Sequence, residues 1–182
     1  MRGVLAVLVL VACDRTPPTD STDHTGPTDG TGDTGDTTLP TTDPTVCVSG
    51  EYWTGGDEES PLMHPGRDCI ACHTDRHEGP DLVVAGTVYT RLHEPDDCNG
   101  RSGVVVEITG DDGHVFTAST NPAGNFFLYT MGTALVTPYT ARVLVNGVAV
   151  SAMATPQTSG ACGSCHTVDG TSDAPGRIVV PE

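Results

Sequence analysis

Short hydrophobic runs separated by polar turn residues recur along the second half of the chain, and this pattern predicts β-strands; residues 114–120 also alternate between apolar and polar positions. Runs rich in valine, isoleucine, phenylalanine, tyrosine and threonine recur at short intervals, with glycine, asparagine and aspartate between them. The runs cover residues 82–89, 103–109, 114–120, 125–129, 139–145 and 148–152. Asn146-Gly147, between the last two runs, is the strongest hairpin signal in the chain. The pattern therefore predicts a mainly β protein, a small antiparallel β-sandwich over residues 81–152.

The strand sequences resemble one known family. Gly86-Thr87-Val88-Tyr89, the run 103–108, and Thr117–Thr120 followed by Gly124-Asn125-Phe126-Phe127 look like the carboxypeptidase regulatory-like (transthyretin-like) β-sandwich. The resemblance covers roughly residues 81–152 and implies a compact scaffold, without catalytic residues to carry over. The tail over residues 174–180 is predicted to add a last strand along this domain.

The first 13 residues have the pattern of an export signal. Met1-Arg2-Gly3 is followed by an apolar run, Val4–Ala12, which is too short to span a bilayer, and then by Cys13. This resembles the lipobox of bacterial lipoproteins, which implies an acylated Cys13 and an extracytoplasmic protein anchored to a membrane by lipid. An ordinary cleaved signal peptide with an incidental cysteine is the alternative.

Residues 14–46 are predicted to be a disordered linker. The segment consists mostly of threonine, aspartate, proline and glycine, which bury too little apolar area to offset the entropy of the chain. A tether of this kind places the folded part of the chain at some distance from the lipid anchor.

The charge of the chain limits its partners. The formal net charge is −16, and all eight basic residues are arginines. This balance argues against nucleic acid or anionic lipid as a partner bound by charge attraction. A soluble protein partner is expected to be basic, or to be met through weak and brief contacts.

Two pentads carry the chemistry of this sequence. Cys69-Ile70-Ala71-Cys72-His73 and Cys162-Gly163-Ser164-Cys165-His166 both read C-x-x-C-H, the attachment signature of c-type haem. Two thiols at this spacing can reach the two vinyl groups of one porphyrin, and the adjacent histidine can then bind the iron.

The pentads resemble those of c-type cytochromes, and the resemblance rests on the pentads alone. It implies two covalent haem c groups, with His73 and His166 as the proximal iron ligands. Residues 47–80 then form a first haem-binding segment, and residues 153–182 form a second one with the C-terminal strand, each built from loop or short helix. The expected function is electron transfer between redox partner proteins and not catalysis.

The sixth iron ligands are less strongly specified. Met63 and Met153 each precede a pentad, and a thioether ligand raises the haem potential relative to a second imidazole. His64 is the alternative to Met63, and ordinary core methionines are the other interpretation. Arg67 and Arg177 could pair with haem propionates, or could be surface arginines without that role.

Three other interpretations of the cysteines and histidines remain open. Cys69, Cys72, Cys162 and Cys165 could hold a structural zinc ion in a non-redox surface lipoprotein, whose β-sandwich serves as an adhesion module or scaffold. Each C-x-x-C could instead close on itself as a disulfide. A small haem peroxidase needs an open iron position and an acid–base group above it. The remaining pair, Cys47 and Cys98, is predicted to form a disulfide, with two separate buried thiols as the alternative.

Overall fold

The computed structural model describes residues 46–180 of the chain. The predicted lipobox with Cys13 and the predicted linker, apart from Val46, lie outside the described residues. Among residues 46–180, no helix combines the length and the apolar character that a membrane crossing needs.

The structure is mainly β, as the β-rich runs predicted. Residues 46–180 form seven strands and two short helices, in the order α1 (Cys69–Arg76), β1 (Leu82–Tyr89), β2 (Val105–Thr109), β3 (Val115–Ser119), β4 (Asn125–Tyr129), β5 (Thr140–Val145), β6 (Val148–Ala152), α2 (Cys162–Cys165) and β7 (Ile178–Val179). The β5–β6 hairpin turns at Asn146 and Gly147, which have φ values of 51° and 79°. Positive φ at both central residues is what a tight hairpin of this hand requires, and it explains why this dipeptide was informative.

The strands form two sheets. One has the order β4-β1-β7 and the other β3-β2-β5-β6. All pairs among β1–β6 are antiparallel, whereas β7 runs parallel to β1 through Val88–Ile178 and Tyr89–Val179. The core contains apolar side chains from both sheets, principally Val84, Val88, Val104, Val106, Ile108, Phe126, Tyr139 and Val143.

Both pentads pack against strand β1. Its residues from Val84 to Tyr89 are all buried, and both α1 and α2 contact it. The backbone N–H of Ala85 donates to the carbonyl of Gly160, just before α2. The side chain of Thr87 accepts from the backbone N–H of Gly66, just before α1, at 2.8 Å. The two pentads therefore lie at the same central strand, although almost ninety residues separate them in the sequence.

The predicted disulfide is present in the structure. Cys47 and Cys98 are joined, with their Cα atoms 5.3 Å apart, across 51 positions of sequence. The bond ties the beginning of the described chain to the loop after β1, and Tyr52 pairs with Cys98 in an isolated β-bridge beside it. The segment that carries Met63 and leads into α1 is thus fastened at its start.

Candidate functional site

Helix α1 presents the first pentad on one of its sides. The Asp68 side chain accepts from the backbone N–H of Ala71 at 3.0 Å and so caps the helix where Cys69 begins it. Residues three and four positions apart lie on the same side of a helix. Cys69, Cys72 and His73 therefore face one region, which is the arrangement that two thioether bonds and one axial ligand to a single haem require.

The His73 ring is held through one of its nitrogens. Its Nδ1 lies 3.0 Å from the carbonyl oxygen of Pro80. Because a carbonyl oxygen only accepts, Nδ1 is the donor in this contact, and in the neutral ring the lone pair is then on Nε2. Gly79, at φ 74°, allows the chain to turn this close to the ring, since a Cβ there would lie 3.0 Å from the ring carbon Cε1. A carbonyl partner on the remote nitrogen is the usual support of a metal-binding histidine.

A cavity of about 380 Å³ adjoins the first pentad. Met63, Cys69, Cys72 and His73 all line it. The rest of its apolar lining comes from Pro61, Pro80, Leu82, Phe127 and Tyr129. Its volume falls in the range of small-molecule and cofactor sites in proteins. The thiols, the imidazole and the apolar lining fit a haem group at this position.

The loop that carries Met63 is fastened to strand β4. The buried Asn125 side chain donates to the carbonyl of Met63 at 3.0 Å, and the N–H of Met63 donates to Ser60 at 3.1 Å. His64 does not line the cavity. Its Nδ1 lies 2.9 Å from an Asp97 oxygen and its Nε2 lies 3.4 Å from an Asp57 oxygen. The structure therefore brings Met63, and not its neighbour His64, to the cavity of the first pentad.

The second pentad repeats the arrangement of the first. Cys162 to Cys165 form the short helix α2, and the N–H of His166 donates to the carbonyl of Cys162 at 2.9 Å. The Nδ1 of His166 lies 2.9 Å from the carbonyl oxygen of Gly176. As at His73, this contact fixes the proton on Nδ1 and leaves Nε2 able to bind a metal.

The space beside the second pentad is much smaller. A cavity of about 80 Å³ lies between the two sheets and is lined by Met153, Cys162 and His166 together with core residues such as Val84 and Phe126. Cys165 is not among its lining residues, and this volume is below the range of cofactor sites. A porphyrin attached here would extend beyond the cavity, toward solvent.

The cysteines of the two pentads are not joined in disulfides. Burial raises the pKa of the Cys69 thiol to about 11. Burial, with a smaller contribution in the same direction from Cys69, raises the pKa of the Cys162 thiol to about 12. Both thiols therefore keep their protons at neutral pH, and the two pentads lie close enough for these groups to interact.

The pentad thiols do not form a metal-binding cluster. Within residues 46–180, one group of three possible ligand atoms lies within 4.8 Å of one another, formed by Cys47, Glu94 and Cys98. The sulfurs of that group are already joined in the disulfide. The geometry thus offers no four-thiol zinc site in the part of the chain that the structure describes.

The interpretation of Arg177 as a surface arginine is wrong, because the residue is buried and its guanidinium is bound by protein acceptors. Its side chain is 1 % exposed, and its guanidinium nitrogens contact the carbonyl oxygens of Glu94, Gly66 and His166 and the carboxylate of Asp96. Arg67 donates to the Asp97 carboxylate. Sequence patterns could not reveal these contacts, nor the carbonyls of Pro80 and Gly176, because backbone acceptors leave no residue signature.

No protein-family model, no curated protein and no solved structure matches this chain at a significant level. The resemblances to c-type cytochromes and to the regulatory-like sandwich therefore remain predictions from the sequence.

Proposed function

We propose that the protein is a di-haem c-type cytochrome, anchored by lipid at Cys13 outside the cytoplasm, that transfers electrons between redox partner proteins. Cys69 and Cys72 would hold one haem by thioether bonds, and Cys162 and Cys165 the other. His73 and His166 would bind the two irons through Nε2, with Met63 and Met153 on the opposite faces. The bound haem supplies a one-electron iron couple.

The observation that carries this proposal is the repeated support of the pentad histidines. Each Nδ1 is held by a backbone carbonyl, that of Pro80 for His73 and that of Gly176 for His166. His93 makes a similar contact with Val168, so the contact alone is not diagnostic. It becomes informative at His73 and His166, because each directly follows the second of two cysteines at haem-attachment spacing.

The methionines favour electron transfer over catalysis at iron. Met63 lines the cavity of the first pentad, and Met153 lines that of the second. An iron with histidine and methionine on its two faces has no open position for peroxide. A thioether ligand also stabilises the reduced iron relative to a second imidazole.

The zinc alternative makes a different prediction for the same thiols. A four-thiol zinc site needs its sulfurs within a few ångströms of one another, whereas the pentad sulfurs form no such group among the residues described. In addition, zinc binding does not require a histidine after each cysteine pair. A small peroxidase has no specific observation in its favour.

The proposal is tested on the exported, full-length protein. We expect a pyridine haemochrome spectrum that gives two haems per chain. Thiols counted under denaturing, reducing conditions should number two, from Cys47 and Cys98, because thioethers are not reduced. A zinc-bearing chain would contain no haem and would expose the four pentad thiols as well. Peroxide turnover by the purified protein would instead support the peroxidase interpretation.

A further inference from the structure

The two haem-attachment segments touch each other through a glycine. Gly163, inside the second pentad, packs against the backbone just before helix α1. A Cβ placed on Gly163 would lie 2.5 Å from the carbonyl oxygen of Arg67 and 3.1 Å from the backbone nitrogen of Asp68. Real Cβ atoms do not approach a carbonyl this closely, so one of the two segments has to shift if any side chain is added there.

A buried arginine connects the same two segments. Arg177 Nη1 donates to the carbonyl of Gly66, three residues before Cys69, at 2.8 Å, and to the carbonyl of His166 at 3.2 Å. Its Nε donates to the carbonyl of Glu94 at 2.8 Å, and the guanidinium lies 5.2 Å from the centre of the Tyr89 ring. One rigid cation thus holds a backbone atom of each attachment segment.

The position of Arg177 is itself fixed. Its backbone N–H donates to the carbonyl of Leu92 at 2.8 Å. Strand β7 begins at the next residue and pairs with β1. A guanidinium with planar, directed donors loses little further freedom when it binds several carbonyls. Arg177 is therefore anchored beside strand β1, and its side chain binds the carbonyls of Gly66 and His166, so it restrains both pentads relative to that strand.

We propose that Arg177 and the close contact at Gly163 are positioning elements that hold the two haems as one electronically coupled pair. This inference rests on the proposed function. It assigns no contact with haem to Arg177, whose donors are engaged with Glu94, Gly66, His166 and Asp96. It explains why a buried charge, which is costly to desolvate, lies between two segments that are far apart in sequence.

The test compares the Soret circular dichroism of holoproteins that carry two haems. Two porphyrins held near each other in a fixed orientation give a bisignate couplet, and independent porphyrins do not. We expect the couplet in the unchanged protein, its loss or inversion in Gly163→Ala, and its loss in Arg177→Gln. Arg177→Lys, which keeps the charge but not the planar donors, should recover only part of it.

Two control variants accompany the test. Ser164→Ala changes the neighbouring position of the same pentad, where the hydroxyl donates to the Ala161 carbonyl and lies 3.8 Å from Cys165 Sγ, without a hydrogen bond to the segment before α1. Arg142→Gln removes an arginine that is 52 % exposed and pairs with Glu107. Both controls should keep the couplet. If Arg177→Gln does not fold, Gly163→Ala decides the outcome, because its backbone φ suits alanine.

The outcomes separate this inference from the proposed function. Two haems per chain without a couplet, or a couplet that Gly163→Ala leaves unchanged, would overturn the coupled pair and leave the cytochrome proposal intact. A chain without haem would remove both.

Discussion

Met63 and His73 line the same cavity, although a loop carries the first and helix α1 the second. If Met63 binds the first iron, Met63→Leu should abolish half of the methionine–iron charge-transfer band and open one haem to carbon monoxide in the reduced protein. The potential of that haem should fall by on the order of 0.1 V, since axial ligand identity spans about 0.8 V of haem potential. Leucine and methionine have similar volumes, so the fold should be kept.

The controls for this variant are another methionine and the neighbouring histidine. Met131 is 94 % exposed, so Met131→Leu should leave the spectrum unchanged. His64→Ala should also retain the band, because the His64 ring contacts Asp57 and Asp97 and does not line the cavity. A band that Met63→Leu leaves unchanged, together with a haem that His64→Ala opens to carbon monoxide, would assign this iron to His64 instead.

The unequal cavities predict unequal haem potentials. The space beside the first pentad is about 380 Å³ and that beside the second about 80 Å³. Contact of a porphyrin with water stabilises the more highly charged ferric state. The second haem, which would extend into water, should therefore have the lower potential. A spectroelectrochemical titration should resolve two steps. Met153→Leu should move the lower step and Met63→Leu the upper one, and the opposite assignment would contradict this interpretation of the cavities.

Sequence patterns predicted the strands better than their arrangement. The runs rich in β-branched and aromatic residues located β1–β6 to within a few residues, because glycine, asparagine and aspartate bound most of them. The parallel pairing of β7 with β1 was not predictable, since it depends on the return path of the chain after α2. The pentads predict Cys69, Cys72 and His73 as haem-binding residues from the sequence alone. The contacts of Pro80 and Arg177 are tertiary, and only the fold reveals them.

The disulfide should contribute substantially to stability. Cys47 and Cys98 are 51 positions apart, and a loop of this length corresponds to about 4 kcal/mol of unfolding free energy in the chain-entropy description. Urea unfolding of the holoprotein should show a loss of this order after reduction with dithiothreitol. The double variant Cys47→Ser, Cys98→Ser should show the same loss without reductant. Dithiothreitol should leave that variant unaffected, because thioether bonds to haem are not reducible. A further loss on reduction would mean that pentad cysteines also form disulfides.

The buried thiols predict that haem attachment changes the pH dependence of stability. The haem-free folded chain holds the Cys69 proton to about pH 11 and the Cys162 proton to about pH 12, against an ordinary thiol value of 9.0. Between pH 9.0 and the folded pKa values, the unfolded chain binds fewer protons than the folded chain. The contribution of these two thiols to the free energy of unfolding is therefore complete below pH 9.0 and is lost as pH rises through the folded pKa values.

Thioether sulfurs carry no ionisable proton, so the haem-loaded chain should lack this loss. Urea midpoints at neutral pH and at about pH 10 should therefore fall more in the haem-free chain than in the loaded one. Burial also raises the pKa of Tyr89, and this effect cancels because it involves no pentad cysteine. Burial and, to a smaller extent, Cys162 raise the pKa of Tyr139, so haem attachment at Cys162 should reduce the Tyr139 contribution as well and add to the difference in the same direction. Equal falls of the urea midpoint in the haem-free and haem-loaded chains would show that the pentad thiols are not the groups bonded to haem.

Charge at the mouth of the first cavity predicts how a partner meets this haem. Asp57, Glu59 and Glu78 line the cavity together with one arginine, Arg76, which pairs with Asp57 at 3.0 Å. With a net charge of −16 on the whole chain, a basic redox protein should be attracted and an acidic one repelled. The second-order rate of electron exchange with a small basic partner should fall as salt screens the attraction, and that with an acidic partner should rise.

The double variant Glu59→Gln, Glu78→Gln should flatten the salt dependence for the basic partner. Asp111→Asn with Asp112→Asn, on the β2–β3 turn and outside this cavity, removes the same charge and tests whether position matters. Equal effects of the two double variants would mean that overall charge, and not the rim of the first haem cavity, guides the encounter.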